Sequence, residues 1–132
     1  MPTTREIVWL AGLLEGEGSF QWRPQRRHPV VALSMTDFDV VDEAARIMEA
    51  RCLGPYTHPM TTKSGASYKP YWMAVLYGRR AIAWMMVLYD LMGIRRKQQI
   101  WVAVMHWKVD HTRHRKWVSS LEGAVDRRRR AA

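Results

Sequence analysis

The sequence has a single cysteine, few acidic residues and no long apolar run. One cysteine, Cys52, excludes an intramolecular disulfide and makes a reducing compartment the default expectation. The longest apolar run, Ala81 to Tyr89, is far shorter than the roughly 20 residues that span a bilayer. Nothing at the N-terminus resembles a signal peptide, because a capped helix begins almost at once. We therefore expect a cytoplasmic protein without a membrane segment.

The shortage of acids leaves a strongly basic chain. The sequence contains 12 Asp and Glu residues and 21 Lys and Arg residues, which gives a net charge of +9. Arginine, the commoner base here, offers a rigid fork for phosphate oxygens, so a polyanionic partner is expected. A membrane surface would attract the same charge, but no basic amphipathic helix with a clean apolar face stands out, which favours nucleic acid. The 132 residues suit one domain with its own core, which we assign to residues 1–122, followed by a basic, flexible tail at 123–132.

Capping, periodicity and turn residues predict the order of the elements. Thr3 and Glu6 have the spacing of a capping box, so the first helix begins there and ends near Glu15 or Gly16. The segment from Cys52 to Pro55 is expected to break the second helix, because it contains Gly-Pro. The remaining elements are predicted as strands at 17–24 and 30–35, a helix at 36–51, a hairpin with arms 56–62 and 68–77, and helices at 79–92, 95–109 and 114–125.

The stretch from Leu10 to Gly18 reads Leu-Ala-Gly-Leu-Leu-Glu-Gly-Glu-Gly and organises the rest of the chain. Its first two glycines, Gly12 and Gly16, lie one helical turn apart, on a different side from the apolar stripe of Leu10, Leu13 and Leu14. Each interior glycine costs a helix roughly 1 kcal/mol relative to alanine. Close contact with a second helix is the simplest feature that would offset this cost.

This stretch resembles the nine-residue LAGLIDADG motif of the homing endonucleases. Glu15 and Glu17 stand in place of the two aspartates of that motif, and Gly16 stands in place of its second alanine. The resemblance implies an α+β protein with the αββαββα fold, a curved antiparallel sheet with helices on one face. Weaker matches in the expected order extend it over roughly residues 5 to 110.

The resemblance also implies a function. It predicts a site-specific double-strand DNA endonuclease that hydrolyses phosphodiesters with Mg²⁺ or Mn²⁺, encoded within an intron or an intein of a bacterium or phage rather than an organelle. Because the chain has one copy of the motif, we expect a homodimer on a long pseudo-palindromic target, with no small-molecule substrate. The predicted dimer interface consists of Leu10, Ala11, Gly12, Leu14, Glu15 and Gly16. Two alternatives stay open: an inactive binding protein of the same fold, such as a regulator or splicing cofactor, and a basic RNA-binding protein.

The resemblance assigns the catalytic roles to Glu17, Asp37 and Arg95. Glu17 and the backbone carbonyl of Gly16 would bind the metal, and Arg95 would lie near the scissile phosphate with Arg96 and Lys97 as DNA-binding neighbours. Asp37 matches a position that orders water, and it is also the residue expected to cap the second helix. Both roles are compatible, because one carboxylate oxygen can cap while the other binds water.

Strand alternation predicts which side chains meet the DNA. A two-stranded ribbon fits the major groove, where Arg pairs with guanine and Gln with adenine. The polar face of the first hairpin would supply Ser19, Gln21, Arg23, Gln25, Arg27, His28 and Ser34. The second hairpin, whose register is harder to derive, would add Lys63, Lys69, Tyr71 and Met73. The alternative is a sheet face that is merely solvated.

Overall fold

The computed structural model describes residues 1–131 and every side chain among them except those of His114, Trp117 and Val118. Its elements run helix, hairpin, helix, two strands and helices, as predicted. Their bounds are α1 (Thr4–Glu17), β1 (Gly18–Arg23), β2 (His28–Met35), α2 (Phe38–Met48), β3 (Cys52–Tyr56), β4 (Tyr71–Tyr77), α3 (Gly78–Leu88), a 3₁₀ turn (Tyr89–Leu91) and α4 (Ile94–Ala131). Among these residues, no helix combines the length and the apolarity that crossing a bilayer requires.

Helix α1 begins with the predicted capping box and ends at Glu17, one residue beyond the predicted end near Glu15 or Gly16, so Glu17 belongs to the helix and not to the first strand. The Glu6 amide donates to Thr3 Oγ1 at 3.1 Å and the Thr3 amide donates to Glu6 Oε2 at 3.4 Å, which completes the capping box. At the other end the Gly18 amide donates to the Leu14 carbonyl. A Cβ on Gly18 would lie 2.7 Å from that carbonyl oxygen, so the last glycine of the motif lets the chain leave the helix directly into β1.

The four strands form one antiparallel sheet in the order β1-β2-β4-β3. Alternate residues of the strands point inward, and the helices contribute their apolar faces to the same core, so the helices cover one face of the sheet. The buried core from the strands is Phe20, Val31, Leu33, Ala74 and Leu76. The buried core from the helices includes Leu10, Leu14, Val41, Ala44, Met48, Met85, Leu88, Ile100 and Ala103. The predicted α+β fold class is confirmed.

The second pair of strands differs from the prediction. Strand β3 is Cys52–Tyr56, the segment that was expected only to end a helix, and its pairing with β4 shifts between Leu53 and Tyr56. Gly54 makes this bulge possible, because its φ is +131° and a Cβ there would lie 2.9 Å from the Tyr71 carbonyl oxygen. Since β3 is an edge strand, Pro55 can sit in it without breaking a central ladder. Gly-Pro therefore marks a bulge here.

The predicted arms at 56–62 and 68–77 are correspondingly wrong in their bounds. Residues 57–70 form a long connection in which Thr61 and Ser67 make one isolated bridge, and only 71–77 is a strand. Lys63 and Lys69 lie on this exposed connection instead of on the sheet. The proline-containing stretches on both sides of the turn disfavour a regular ladder.

Helix α4 is a single 38-residue helix and not two helices with a gap. The boundary expected near Val109 does not occur, because no glycine or proline interrupts the sequence between Ile94 and Glu122. The predicted short helix at 114–125 is thus part of α4, and the basic segment from residue 123 continues it to Ala131. The flexibility of that segment stays a prediction, and Ala132 lies outside the described residues.

Candidate active site and nucleic-acid interface

Glu17 is the last residue of α1 and lies exposed at the edge of the sheet. The next residue, Gly18, pairs with Leu33 on β2, so Glu17 stands where the chain passes from α1 into the edge strand β1. The Gly16 carbonyl, also in the last turn, is one of the four at a helix end that lack a partner within the helix. Carboxylate and carbonyl oxygens are the donors that Mg²⁺ prefers, so these two groups fit such an ion.

The start of α4 is attached to the end of α1 through Glu15 and Arg96. The Gly93 amide donates to Glu15 Oε2 at 3.1 Å, and Arg96 Nε donates to the Glu15 carbonyl oxygen at 3.0 Å. Arg96 Nη1 donates to Gln99 Oε1 at 3.0 Å, and only 7% of the residue is exposed. The guanidinium therefore stabilises the carbonyl end of α1, where the helix dipole favours a cation.

These contacts correct one predicted role. Arg96 was expected beside Arg95 on the DNA-facing surface, but it is buried against α1. Glu15 is half-buried, and its carboxylate accepts from the Gly93 amide of its own chain, so its place in a dimer interface stays a prediction. Arg95 is exposed in the first turn of α4, whereas Lys97 is half-buried with its Nζ 5.5 Å from the centre of the Tyr89 ring. The contact between α1 and α4 thus holds Arg95 at the same end of the molecule as Glu17.

Asp37 lies two residues beyond β2, at the end of that strand which pairs with the start of β1. It occupies the N-cap position of α2 with extended backbone angles, yet its side chain makes no capping hydrogen bond. Its carboxylate is exposed. The capping role is therefore not the one the structure supports, and the side chain is available for a water molecule.

Within the described part of the chain, no three or more His, Cys, Asp and Glu side chains gather closely enough to hold a metal ion. A cation at Glu17 would need further oxygen ligands from the backbone, from water, from a phosphate or from a second copy of the chain. This requirement matches the usual shell of Mg²⁺, which takes one or two carboxylates and keeps several waters.

One face of α1 is exposed and carries two of the three motif glycines, Gly12 and Gly16. We call it the glycine face, and it consists of Val8, Trp9, Gly12 and Gly16. A Cβ built on Gly12 or on Gly16 meets no atom within 4 Å. In contrast, Leu10, Ala11 and Leu14 are buried in the core of their own chain, so the structure contradicts their predicted place in the dimer interface. The leucine stripe and the glycines lie on different sides of the helix, and only one side can face outward.

The face of the sheet opposite the helices, which we call the outer face, brings the predicted polar residues of β1 and β2 together. Across the strands, Gln21 lies opposite Val30, which lies opposite Tyr77. The residues that share this face are Ser19, Gln21 and Arg23 on β1, His28, Val30, Ala32 and Ser34 on β2, Tyr71, Met73, Val75 and Tyr77 on β4, and Leu53 and Tyr56 on β3. The alternation therefore places Tyr71 and Met73 as predicted.

Tyr77 is a member of this face that sequence reasoning missed, although alternation from Tyr71 would have found it. It is 49% exposed, its ring meets His28 edge-on at 5.0 Å between centroids, and Arg23 Cζ lies 6.0 Å from its centroid. Burial, followed by the charges of Arg23 and Arg26, lowers the pKa of His28 below its ordinary value. The imidazole is therefore neutral at pH 7.

The turn between β1 and β2 contacts α4. Arg27, whose φ is +52°, donates from Nε to Asp110 Oδ1 at 2.8 Å, and its Nη2 lies 2.5 Å from the same oxygen. Trp22 stacks on His106 nearby, with 5.5 Å between ring centroids. The Arg27 side chain is 66% exposed, but any phosphate contact must compete with this ion pair. Gln25 lies exposed in the same turn.

Acidic residues are missing from the four strands, from the β1–β2 turn and from the β3–β4 connection. No Asp or Glu occurs between Gly18 and Thr36 or between Ala50 and Tyr89, and these two stretches contain all four strands. The basic residues on the strands, on that turn and on that connection therefore have no acids within the same segments to offset their charge. A surface of this kind attracts a polyanion.

Solved homing endonucleases have the same fold. I-CvuI, in complex with its target in the presence of Ca, superposes with a TM-score of 0.56 at 13% identity over 83% of this chain and 70% of that one. Archaeal intron-encoded I-Vdi141I, complexed with DNA, gives 0.51 at 15% identity over 73% and 63%, respectively. Group I intron-encoded I-CeuI, complexed with DNA, gives 0.58 at 12% identity over 85% and 58%. I-CvuI was also solved with an I-CreI target in Mg, with the DNA not cleaved.

No protein-family model matches the sequence, and no curated protein matches it either. The chain spans less than two thirds of the length of I-Vdi141I and I-CeuI. At these identities the likeness shows the fold, and it confirms the LAGLIDADG homing endonuclease fold that the motif predicted.

Proposed function

We propose that this chain, which has the LAGLIDADG homing endonuclease fold, is a site-specific DNA endonuclease that acts as a homodimer on a long pseudo-palindromic target. One observation carries the proposal: α1 has an exposed glycine face along its length and an exposed carboxylate, Glu17, at its end. Two copies that pair through their glycine faces bring two Glu17 carboxylates to the twofold axis. Each would then stand near one strand of a duplex.

The pairing is supported by the open space beside the glycine face in a single chain. Nothing of the described chain approaches the missing side chains of Gly12 and Gly16. Val8 and Trp9, both large and exposed, extend the same face toward the start of α1. A second α1 would bury these side chains and approach closely at the glycines, which offsets the cost of glycine in a helix. The two Glu17 charges would repel each other, and cations would relieve this repulsion.

The groups around Glu17 suit phosphodiester hydrolysis. When bound by Glu17 and the Gly16 carbonyl, a divalent cation such as Mg²⁺ or Mn²⁺ would supply Lewis acidity and an activated water. Arg95 would bind the phosphate beside it, which explains a cation in the first turn of a helix where the dipole disfavours one. Asp37, without a capping bond, would orient a water.

The outer face would bind the DNA bases. Two antiparallel strands, β1 and β2, have the width that the major groove admits, and their polar residues include Gln21 and Arg23. Since the four strands, the β1–β2 turn and the β3–β4 connection contain no acids, a phosphate backbone would meet no repulsion from them. Binding of this kind weakens steeply with salt.

Selection from random duplexes in Ca²⁺, followed by cleavage of the selected site in a supercoiled plasmid, tests the proposal. We expect a twofold-symmetric site, binding in Ca²⁺ and Mg²⁺, and cutting in Mg²⁺. Glu17→Gln should bind the site but cut it about 100-fold more slowly or worse, as when one electrostatic stabiliser is removed. Asp42→Asn, which neutralises an exposed acid on α2, is the matched control and should cut normally.

Three results would contradict the proposal. A protein that is monomeric on its DNA has no paired α1 helices. If Glu17→Gln cuts DNA as fast as the unmutated protein, Glu17 is not a catalytic residue. Sequence-specific binding in both ions without nicking in either would select the inactive DNA-binding protein of the same fold.

A further inference from the structure

Three side chains from three strands meet at the end of the outer face that lies beside the β1–β2 turn. Arg23 ends β1, His28 begins β2 directly opposite it, and Tyr77 ends β4. Val30 lies between Gln21 and Tyr77 in the register and is only 1% exposed, although it points away from the helical core. The outer-face side chains therefore cover it and form a small packed cluster.

Arg23 reaches across β2 to make this cluster. Adjacent strands lie about 4.8 Å apart, so β1 and β4 are separated by about twice that distance. The Arg23 Cζ nevertheless lies 6.0 Å from the centre of the Tyr77 ring, within the range of a cation–π contact. The guanidinium is thus held above β2 instead of extending freely from the end of β1.

We propose that Tyr77 is a positioning residue that holds Arg23 in place to contact a guanine in the major groove. The inference rests on the proposed function, because it assigns a specificity role within that DNA-binding face. A free arginine loses much rotamer freedom when it binds, and a restrained one loses less. Its planar fork then meets guanine O6 and N7 together.

The Tyr77 ring is itself restrained. His28 contacts it edge-on at 5.0 Å between centroids, and the His28 Nε2 is buried without a hydrogen-bond partner among the described residues. A neutral imidazole at this place does not repel the neighbouring guanidinium, and burial keeps it neutral by lowering its pKa. Tyr77 therefore contacts both His28 and Arg23, and the His28 ring restrains it.

The contact is testable without DNA. In the free protein the side-chain protons of Arg23 should show an upfield ring-current shift by NMR, which Tyr77→Leu removes and Tyr77→Phe retains. Tyr68→Leu, which removes an exposed tyrosine of the 57–70 connection outside the sheet, should leave these resonances unchanged. Arg23 resonances at random-coil positions in the unmutated protein would overturn the inference, even if Tyr77→Leu proved too unstable to study.

Binding specificity provides the second test. Affinities for all single-base variants of the selected site are measured with the unmutated protein, Arg23→Ala, Tyr77→Leu, Tyr77→Phe and Tyr68→Leu. Arg23→Ala should lower discrimination for guanine at one position of each half-site by about 5- to 100-fold. Tyr77→Leu should lower it at that same position by about two- to fivefold, whereas Tyr77→Phe and Tyr68→Leu should preserve it.

The outcomes separate this inference from the proposed function. If the unmutated protein selects a site and Tyr77→Leu weakens all sequences equally, or changes a different position, Tyr77 does not position Arg23 and only this inference fails. If the unmutated protein selects no site, the proposed function fails and this inference fails with it.

Discussion

Replacing Gly12 by alanine should stabilise a single chain and weaken its pairing with a second copy. In the structure a Cβ at Gly12 meets nothing within 4 Å, so the folded monomer has room for the methyl group. Glycine in a helix interior is about 0.8–1 kcal/mol less favourable than alanine. The free energy of unfolding of a dissociated chain should therefore rise by about 1 kcal/mol.

The effect on the dimer has the opposite sign. If two α1 helices pack through their glycine faces, each copy adds one methyl group where the backbones are closest. Overpacking of this kind costs about 1–3 kcal/mol per site, or about 2–6 kcal/mol for the symmetric pair. The dimer dissociation constant should therefore rise by roughly 30-fold to more than 10⁴-fold.

Urea unfolding at a series of protein concentrations measures both effects. The midpoint of the unmutated protein should increase with concentration, because association stabilises the folded state. Gly12→Ala should show little concentration dependence, and at the lowest concentration it should be the more stable of the two. Sedimentation of both proteins with and without DNA gives the dimer constant directly.

Gly123→Ala is the matched control. Gly123 lies within α4, and its Cβ would meet only Arg127 Nη1 at 3.5 Å, an ordinary contact. Like Gly12→Ala, this variant should raise the free energy of unfolding of the chain. Unlike Gly12→Ala, it should keep the concentration dependence of the unmutated protein. The reasoning is refuted if Gly12→Ala retains the full concentration dependence and cuts DNA normally, because the glycine face would then not be the contact between copies.

Further substitutions test the packing, the electrostatics and the DNA-facing turn. Gly18→Ala forces a Cβ to 2.7 Å from the Leu14 carbonyl oxygen, so its unfolding free energy by urea titration should fall by about 1–3 kcal/mol. The hydrogen bonds from Arg46 lower the pKa of Glu43 below its ordinary value. The ion pair therefore stabilises the fold at pH values above the ordinary pKa of glutamate, and this stabilisation is lost as the pH falls through the lowered pKa of Glu43. The stability difference between the unmutated protein and Glu43→Gln should therefore shrink on acidification from pH 7 to below about 4, as thermal unfolding would record. Asp110→Asn removes the ion pair of Arg27 and should cost at most about 1 kcal/mol of stability. The released Arg27 should tighten binding to unrelated DNA, as measured by anisotropy titrations at low salt.

Features that depend on neighbours in the chain were predictable from the sequence. The Thr3–Glu6 capping box and the alternation of β1 and β2 follow from spacings of a few residues. These features survive folding unchanged because helix and strand periods are set by local backbone geometry. The fold was implied by the resemblance of the nine-residue motif to a known family, and the solved structures confirm it.

Features that depend on distant partners were not predictable in the same way. Arg95 and Arg96 are adjacent and identical, yet one is exposed and the other is buried against the Glu15 carbonyl, 81 residues away in sequence. Charge alone cannot distinguish them, because the packing of α4 on α1 decides which side of the helix is covered. The bulge at Gly54 likewise exists only because β3 takes the edge of the sheet.

The sequence by itself determined the helix that ends in a carboxylate, the two glycines along it and the polar face of the first hairpin. The tertiary structure decided which face of α1 remains exposed and that Arg96, not Arg95, is buried against α1. It also decided that Tyr77 of β4 contacts Arg23 of β1 across an intervening strand. The physical reason is that periodicity is a property of a segment, whereas burial and contact are properties of the surface that another segment covers.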